Sequence, residues 1–111
     1  MVPSDSPRAP RFAIPITVLY RAAGRPRWCE GCTENISRSG VLLRVDEPID
    51  PDTFLEMLIR MPLEVAGEGA GLSMCRARAV RAVVPGGTDP RPAIAAAIVD
   101  CERLPDDPRR I

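Results

Sequence analysis

Histidine is absent from this chain of 111 residues. Without an imidazole, the Ser-His-Asp and Cys-His arrangements of hydrolases are excluded within the chain, and so is any histidine-ligated metal site. The sequence shows no other nucleophile–base pair and no conventional glycine-rich loop for phosphate. We therefore predict that the protein is not an enzyme and holds no metal or resident cofactor.

Lysine is absent too, so all fifteen basic residues are arginine, and fifteen acidic residues balance them to a formal net charge of zero. A nucleic-acid binder that works by bulk electrostatics needs a basic excess, so we expect no nucleic-acid partner. Genomic base composition explains the exclusive use of arginine more simply than function does. Guanidinium groups nevertheless suit bidentate contacts to phosphates and guanine edges.

Aromatic residues and long apolar runs are also scarce. Aromatics make up 4% of the chain against 45% hydrophobic residues, so aliphatic side chains must fill the core. No run is long enough to span a bilayer, and residues 1–10 lack the apolar stretch of a signal peptide. We therefore expect one soluble, cytoplasmic domain without membrane insertion.

Turn-forming residues, by contrast, are abundant, with thirteen prolines and eight glycines. They favour short strands over long helices. The clearest strand pattern begins at Phe12, where Phe12, Ile16 and Tyr20 share one face at a period of two. Pro15 faces the other side and has no amide proton, so we expect an edge strand or a bulge there.

Turn signals divide the chain into six extended segments. These are Phe12–Tyr20, Arg27–Glu34, Val41–Val45, Phe54–Val65, Leu72–Val84 and Pro92–Leu104. The fourth segment is also compatible with a helical turn. In the fifth, the alternating pattern of arginines shifts between Arg78 and Arg81, which indicates a bulge. This order predicts a small all-β barrel or sandwich over residues 12–104, after a flexible arm (1–11) and before a polar tail (105–111).

The hexapeptide Asn35-Ile-Ser-Arg-Ser-Gly40 is the most informative stretch. In extended backbone Asn35 and Ser37 project from one face, where an amide and a hydroxyl could grip the edge of a planar heterocycle. Gly40 can adopt a positive φ and turn the chain into the next strand. An Asx or Ser turn that caps a β-hairpin explains the same residues without a ligand, and the local pattern by itself favours this turn.

With this hexapeptide, the chain resembles the PilZ family. That family has an arm with paired arginines, two strands, a [D/N]-x-S-x-x-G motif and an apolar third strand, in that order. Here Arg8 and Arg11 precede the first predicted strand, the hexapeptide follows the second, and Ile98–Cys101 resembles the closing strand. The resemblance covers about residues 8–104, and it implies a six-stranded antiparallel barrel whose ligand is cyclic di-GMP.

The resemblance also implies a role for each matching residue. Arg8 and Arg11 of the arm would hold guanine edges and phosphates of cyclic di-GMP. Asn35 and Ser37 would contact a guanine on the barrel surface, and Gly40 would shape the loop that carries them.

The arm departs from the family pattern at one position. An R-x-x-x-R spacing that ends at Arg11 requires an arginine at position 7, where Pro7 stands, so the spacing from Arg8 is one residue short. Arg21 and Arg25 have the family spacing, but they flank the turn after the first strand, where we expect a solvated hairpin tip.

Two functions follow from the resemblance and its departure. The first is a cyclic di-GMP receptor in which the ligand orders residues 4–11 against the barrel and changes the surface offered to an unidentified protein partner. The second is a PilZ-like protein-interaction domain that has lost ligand binding, as Pro7 suggests.

The cysteines offer a third hypothesis, a small metal or redox protein. They are Cys29, Cys32, Cys75 and Cys101. Four is the number that a zinc site needs, but Cys29 and Cys32 face opposite sides of a strand, and the other two fall in separate strands. No helix is predicted that would lower a thiol pKa. We therefore expect buried or partly buried free thiols.

Two further clusters are given structural interpretations. The acidic residues of the loop 46–52 are interleaved with prolines in a spacing unlike that of a calcium loop, so we expect them to be solvated. Met57, Met61 and Met74 are assigned to the core.

Overall fold

Alternating apolar and polar residues determine the strands of the protein, which is described by a computed structural model over residues 10–83 and 90–105. The strands are β1 (Thr17–Ala22), β2 (Cys29–Ile36), β3 (Gly40–Arg44), β4 (Phe54–Met61), β5 (Gly71–Val83) and β6 (Ala93–Arg103). A helical turn, α1 (Leu63–Ala66), and a 3-10 turn (Gly67–Gly69) join β4 to β5. Among the described residues no helix has the length and hydrophobicity to cross a membrane.

The six strands form a closed antiparallel barrel in the order β1-β2-β3-β6-β5-β4. The ladder between β1 and β4, which pairs Leu19 with Leu58 and Ala22 with Leu55, closes the sheet. This confirms the small all-β barrel and rules out a sandwich of two open sheets.

The core lies inside the barrel and consists mainly of aliphatic side chains. Its buried members are Val18, Tyr20, Ile36, Val41, Leu43, Val45, Met57, Ile59, Met61, Val65, Cys75, Ala77, Ala79, Ile94 and Ala96. A six-stranded barrel has a narrow interior, so the alanines of β5 and β6 fit where larger side chains would not.

Of the three methionines assigned to the core, two are there: Met57 and Met61 are 0% and 5% exposed. The assignment of Met74 is wrong, because its neighbours Ser73 and Cys75 are the residues of β5 that face inward, which leaves Met74 half-buried on the other face. Side chains alternate along a strand, so only one of the two sets can enter the barrel.

The ladder between β5 and β6 is interrupted by two register shifts, one at Arg76/Ala77 and one at Ala79/Arg81. The second confirms the bulge predicted between Arg78 and Arg81. Bulges increase the local bend and twist of a strand, and here they let the two longest strands follow the curvature of the barrel.

The first predicted strand starts five residues late, at Thr17 rather than Phe12. Before it, Phe12 forms one isolated antiparallel bridge with Ile36 at the end of β2. Pro15 lies between this bridge and β1, and it has no amide proton to donate to a ladder. The side chain of Thr33 holds the segment around Pro15 instead. Its hydroxyl accepts from the Ile16 amide at 2.8 Å and donates to the Ile14 carbonyl at 2.5 Å.

The fourth predicted strand ends early, so the extension of a strand to Val65 is wrong. Pro62 follows β4 in extended conformation and starts α1, in which Val65 is buried. Proline lacks the amide proton that a ladder needs, yet its fixed φ suits the start of a helical turn. The proline therefore ends a strand here and does not exclude the short helix.

Cys75 and Cys101 form a disulfide, so the expectation of free thiols is wrong for this pair. They are directly opposite each other on β5 and β6, with 4.0 Å between their Cα atoms, although 26 residues separate them in the sequence. Antiparallel pairing brings them together. Cys29 and Cys32 are free, half-buried thiols, as expected.

The predicted arm (1–11) lies outside the described residues except for Pro10 and Arg11, both of which are exposed. The predicted tail lies outside them beyond Pro105. At the C-terminal end of β6, the Leu104 amide still donates to the Leu72 carbonyl at 2.9 Å, so pairing with β5 continues to the end of the predicted domain.

Replacing Thr33 with valine is expected to lower the free energy of unfolding by about 1–3 kcal/mol, because valine leaves the Ile14 carbonyl and the Ile16 amide without this partner. Thr33→Ser keeps the hydroxyl and is the matched control, expected to lose less. Urea unfolding followed by the fluorescence of Trp28 measures both variants. Equal stability of the two would show that the hydroxyl does not hold the segment.

Candidate functional site

The β2–β3 hairpin carries the hexapeptide predicted to bind a ligand. Asn35 and Ile36 are the last residues of β2, paired with Leu42 and Val41 of β3. A register shift between Thr33 and Asn35 bulges the strand just before the motif. Bulges re-aim the side chains beside them, and this one sets the direction of Asn35 relative to the rest of β2.

The N-terminal segment reaches this hairpin through its backbone. The Phe12 amide donates to the Ile36 carbonyl at 2.8 Å, and the Ile36 amide donates to the Phe12 carbonyl at 2.9 Å. Ile36 is itself fully buried, so the bridge is anchored to the core. The residue before Phe12 is therefore held at the end of β2.

That residue is Arg11, and its side chain contacts the motif. The Nη1 atom of Arg11 donates to Oδ1 of Asn35 at 3.0 Å, in an exposed position. The contact uses one of the five donors of the guanidinium group and one acceptor of the amide. The remaining donors of Arg11 and the amide NH₂ of Asn35 can serve a ligand at this surface.

Ser37 caps the turn of this hairpin, while its predicted contact with guanine stays a prediction. Its side chain is 2% exposed, and its hydroxyl accepts from the amides of Gly40 at 3.1 Å and Ser39 at 3.2 Å. Its own amide donates to the Gly40 carbonyl at 2.8 Å. Ser37 is therefore the capping residue of the hairpin turn, which is the structural alternative stated for the motif.

Gly40 is buried at the start of β3, but it does not have the positive φ that was expected. The reason for a glycine here is proximity to β6: a Cβ at this position would lie 3.3 Å from the Ala96 carbonyl oxygen. A side chain would press against that strand, so Gly40 allows the two backbones to approach.

The structure thus brings Arg11 and Asn35 into contact and places Ser37 and Gly40 in the turn beside them. Arg8, the other predicted ligand residue, lies outside the described residues.

Arg38, at the tip of this turn, is a candidate that the sequence interpretation missed. It lines a cavity of about 330 Å³ together with Ile98, Asp100 and Arg103 of β6, among others. Asp100 is paired with Arg76, whose hydrogen bonds hold the pKa of the carboxyl below its usual range. The sequence shows Arg38 inside the hexapeptide. The direction of its side chain, however, depends on the conformation of the turn.

The interpretation of Arg21 as part of a solvated hairpin tip is wrong. Arg21 is half-buried, its Nε donates to Glu56 of β4 at 2.7 Å, and its guanidinium carbon lies 4.3 Å from the centre of the Trp28 ring. Barrel closure places Glu56 beside Arg21, which could not be seen from the sequence. Arg25, in contrast, is exposed as expected.

The described residues contain no group of three or more Cys, Asp or Glu side chains placed to hold a metal ion. In the acidic loop, Asp46, Glu47, Asp50 and Asp52 are all exposed, as expected, and Asp52 also pairs with Arg78 at 2.8 Å. The disulfide also removes Cys75 and Cys101 from a four-thiolate site.

Ser37→Ala is expected to lower the free energy of unfolding by about 1–2 kcal/mol without any ligand, because two turn amides lose their buried acceptor. Ser39→Ala is the matched control: Ser39 is exposed, so its loss should stay within about 0.5 kcal/mol. Thermal or urea unfolding compares the two. Equal effects would contradict the capping role.

Comparison of the chain with protein-family models, with curated proteins and with solved structures gave no match. The functional argument therefore depends on the residues and geometry of the barrel itself.

Proposed function

We propose that the protein is a PilZ-like receptor for cyclic di-GMP, a regulatory module rather than an enzyme. The observation that carries the proposal is the contact between Arg11 and Asn35, which lie 24 residues apart. These are the arm arginine and the motif amide that the resemblance assigns to one ligand. Their meeting at one point of the barrel surface is what such a site requires.

The chemistry of this surface suits a guanine nucleotide. A guanidinium group offers paired donors to guanine O6 and N7 or to a phosphate, and the Asn35 amide offers both a donor and an acceptor. Arg38 lines the adjoining cavity and makes no hydrogen bond or ion pair with the described residues, so it adds a second cation for the ligand's phosphates. Ser37 contributes by holding the turn in shape.

The test is a calorimetric titration with cyclic di-GMP. Micromolar or tighter binding is expected, and Arg11→Ala should raise Kd by about ten- to one-hundred-fold, from roughly 1–3 kcal/mol per bidentate arginine. Asn35→Ala and Arg8→Ala should also weaken binding. Arg60→Ala is the control, because Arg60 is exposed on β4 and lines neither the cavity at Arg38 nor the hairpin.

A second candidate function is a barrel that acts through protein contacts without a nucleotide. Two observations favour it: Pro7 stands where the family pattern has an arginine, and the Ser37 hydroxyl is already occupied by its own turn. No heat with saturating cyclic di-GMP, together with an unchanged melting temperature, would support this candidate and overturn the first.

We also propose a cytoplasmic location, where the Cys75–Cys101 disulfide of the structure would be reduced, because disulfides are uncommon in reducing compartments. Alkylation of the protein in freshly denatured cells, followed by mass measurement, is expected to label all four cysteines. Labelling of Cys29 and Cys32 alone would place the protein in an oxidising compartment.

A further inference from the structure

A second polar pocket lies at the other end of the barrel. It has a volume of about 400 Å³, within the usual range for small-molecule sites of roughly 300–1,000 Å³. The β1–β2 hairpin forms one wall and the β3–β4 loop the other. The β2 strand runs from this end at Cys29 to the motif at Ile36, so the two sites are separated by about 20 Å at 3.3 Å per residue.

Three arginines from the hairpin line this pocket: Arg21, Arg25 and Arg27. Arg21 is held in place from two sides, by the hydrogen bond from its Nε to Glu56 and by the Trp28 ring at 4.3 Å. Its Nη groups make no hydrogen bond with the described residues. A guanidinium fixed in this way loses little conformational entropy when it binds an anion.

Arg25 and Arg27 are exposed, and their side chains make no hydrogen bond or ion pair within residues 10–83 and 90–105. The same is true of the carboxylates of Glu47 and Asp50, which line the pocket from the loop. Within these residues no ion pair joins the arginine wall to Glu47 and Asp50, while Arg21 is paired with Glu56.

A ligand that matches both walls has an anionic group at one end and hydrogen-bond donors at the other. Phosphate suits the arginines, because guanidinium groups bind its oxygens in a bidentate manner. Hydroxyl groups suit Glu47 and Asp50, because carboxylates are acceptors only. Ile49 also lines the pocket and provides an apolar surface for a ring, with the buried Tyr20 and Leu55 beneath it.

We propose that this pocket binds a phosphorylated small molecule of sugar-phosphate size, with its phosphate on the three arginines and its hydroxyls on the acidic loop. The site is separate from the Arg11–Asn35 surface and does not depend on cyclic di-GMP binding there. It gives the barrel a second ligand, at the end where the sequence interpretation had expected only a solvated turn.

The test uses ribose 5-phosphate, which does not absorb where tryptophan is excited, and the fluorescence of Trp28, the sole tryptophan. Because Trp28 lies against Arg21, occupation of the pocket is expected to change its emission in a saturable manner. Inorganic phosphate should bind more weakly than the ester, and free ribose should not bind. No saturable change with ribose 5-phosphate at millimolar concentrations would overturn the proposal.

The variants Arg25→Ala and Arg27→Ala are expected to raise Kd for ribose 5-phosphate about tenfold each. Both residues are exposed, so the fold should tolerate the changes. Arg60→Ala and Arg11→Ala are matched controls that remove an arginine elsewhere, and both should leave Kd unchanged. Equal weakening by all four variants would indicate non-specific attraction and overturn the site.

Saturating cyclic di-GMP should leave the Kd for ribose 5-phosphate unchanged, and calorimetry measures this because guanine absorbs where tryptophan is excited. Competition between the two would make this pocket part of the dinucleotide site and overturn the separate site. If cyclic di-GMP gives no heat in its own titration, the proposed receptor function is overturned. The binding of ribose 5-phosphate would not be affected by that outcome.

Discussion

Closure of the sheet between β1 and β4 is the constraint on which the rest of the structure depends. It pairs the two strands that would otherwise be sheet edges, so each of the six strands has a neighbour on both sides. It also encloses the aliphatic core, since the inward faces of all six strands converge on one interior. Each hairpin and loop then lies at one end of the barrel or the other.

The two ends of the barrel have different chemistry because different connections meet there. At one end, the bridge of Phe12 to Ile36 brings Arg11 to Asn35, and the turn capped by Ser37 presents Arg38. At the other end, the arginine-rich β1–β2 hairpin faces the acidic β3–β4 loop.

Two segments near the motif lie outside regular strand pairing, and a hydroxyl side chain holds each of them. Thr33 binds the backbone around Pro15, and Ser37 binds the amides of its own turn. In each case a buried hydroxyl satisfies backbone groups that strand pairing does not reach, which avoids the cost of leaving them unpaired. The geometry of Arg11 and Asn35 therefore depends on residues that need not touch a ligand.

The sequence by itself determined the all-β class, the approximate position of each strand and the bulge near Arg81, because alternation and turn residues act locally. The hexapeptide was visible as well, and its local pattern by itself favoured a turn cap over a ligand contact. Only the tertiary structure decided that Ser37 is the cap, that Cys75 bonds Cys101, and that Met74 lies outside the core. The disulfide depends on register between strands, which joins residues whose separation along the chain carries no local signal. The Ser37 cap and the position of Met74 depend on the conformation of the turn and on which face of β5 enters the barrel.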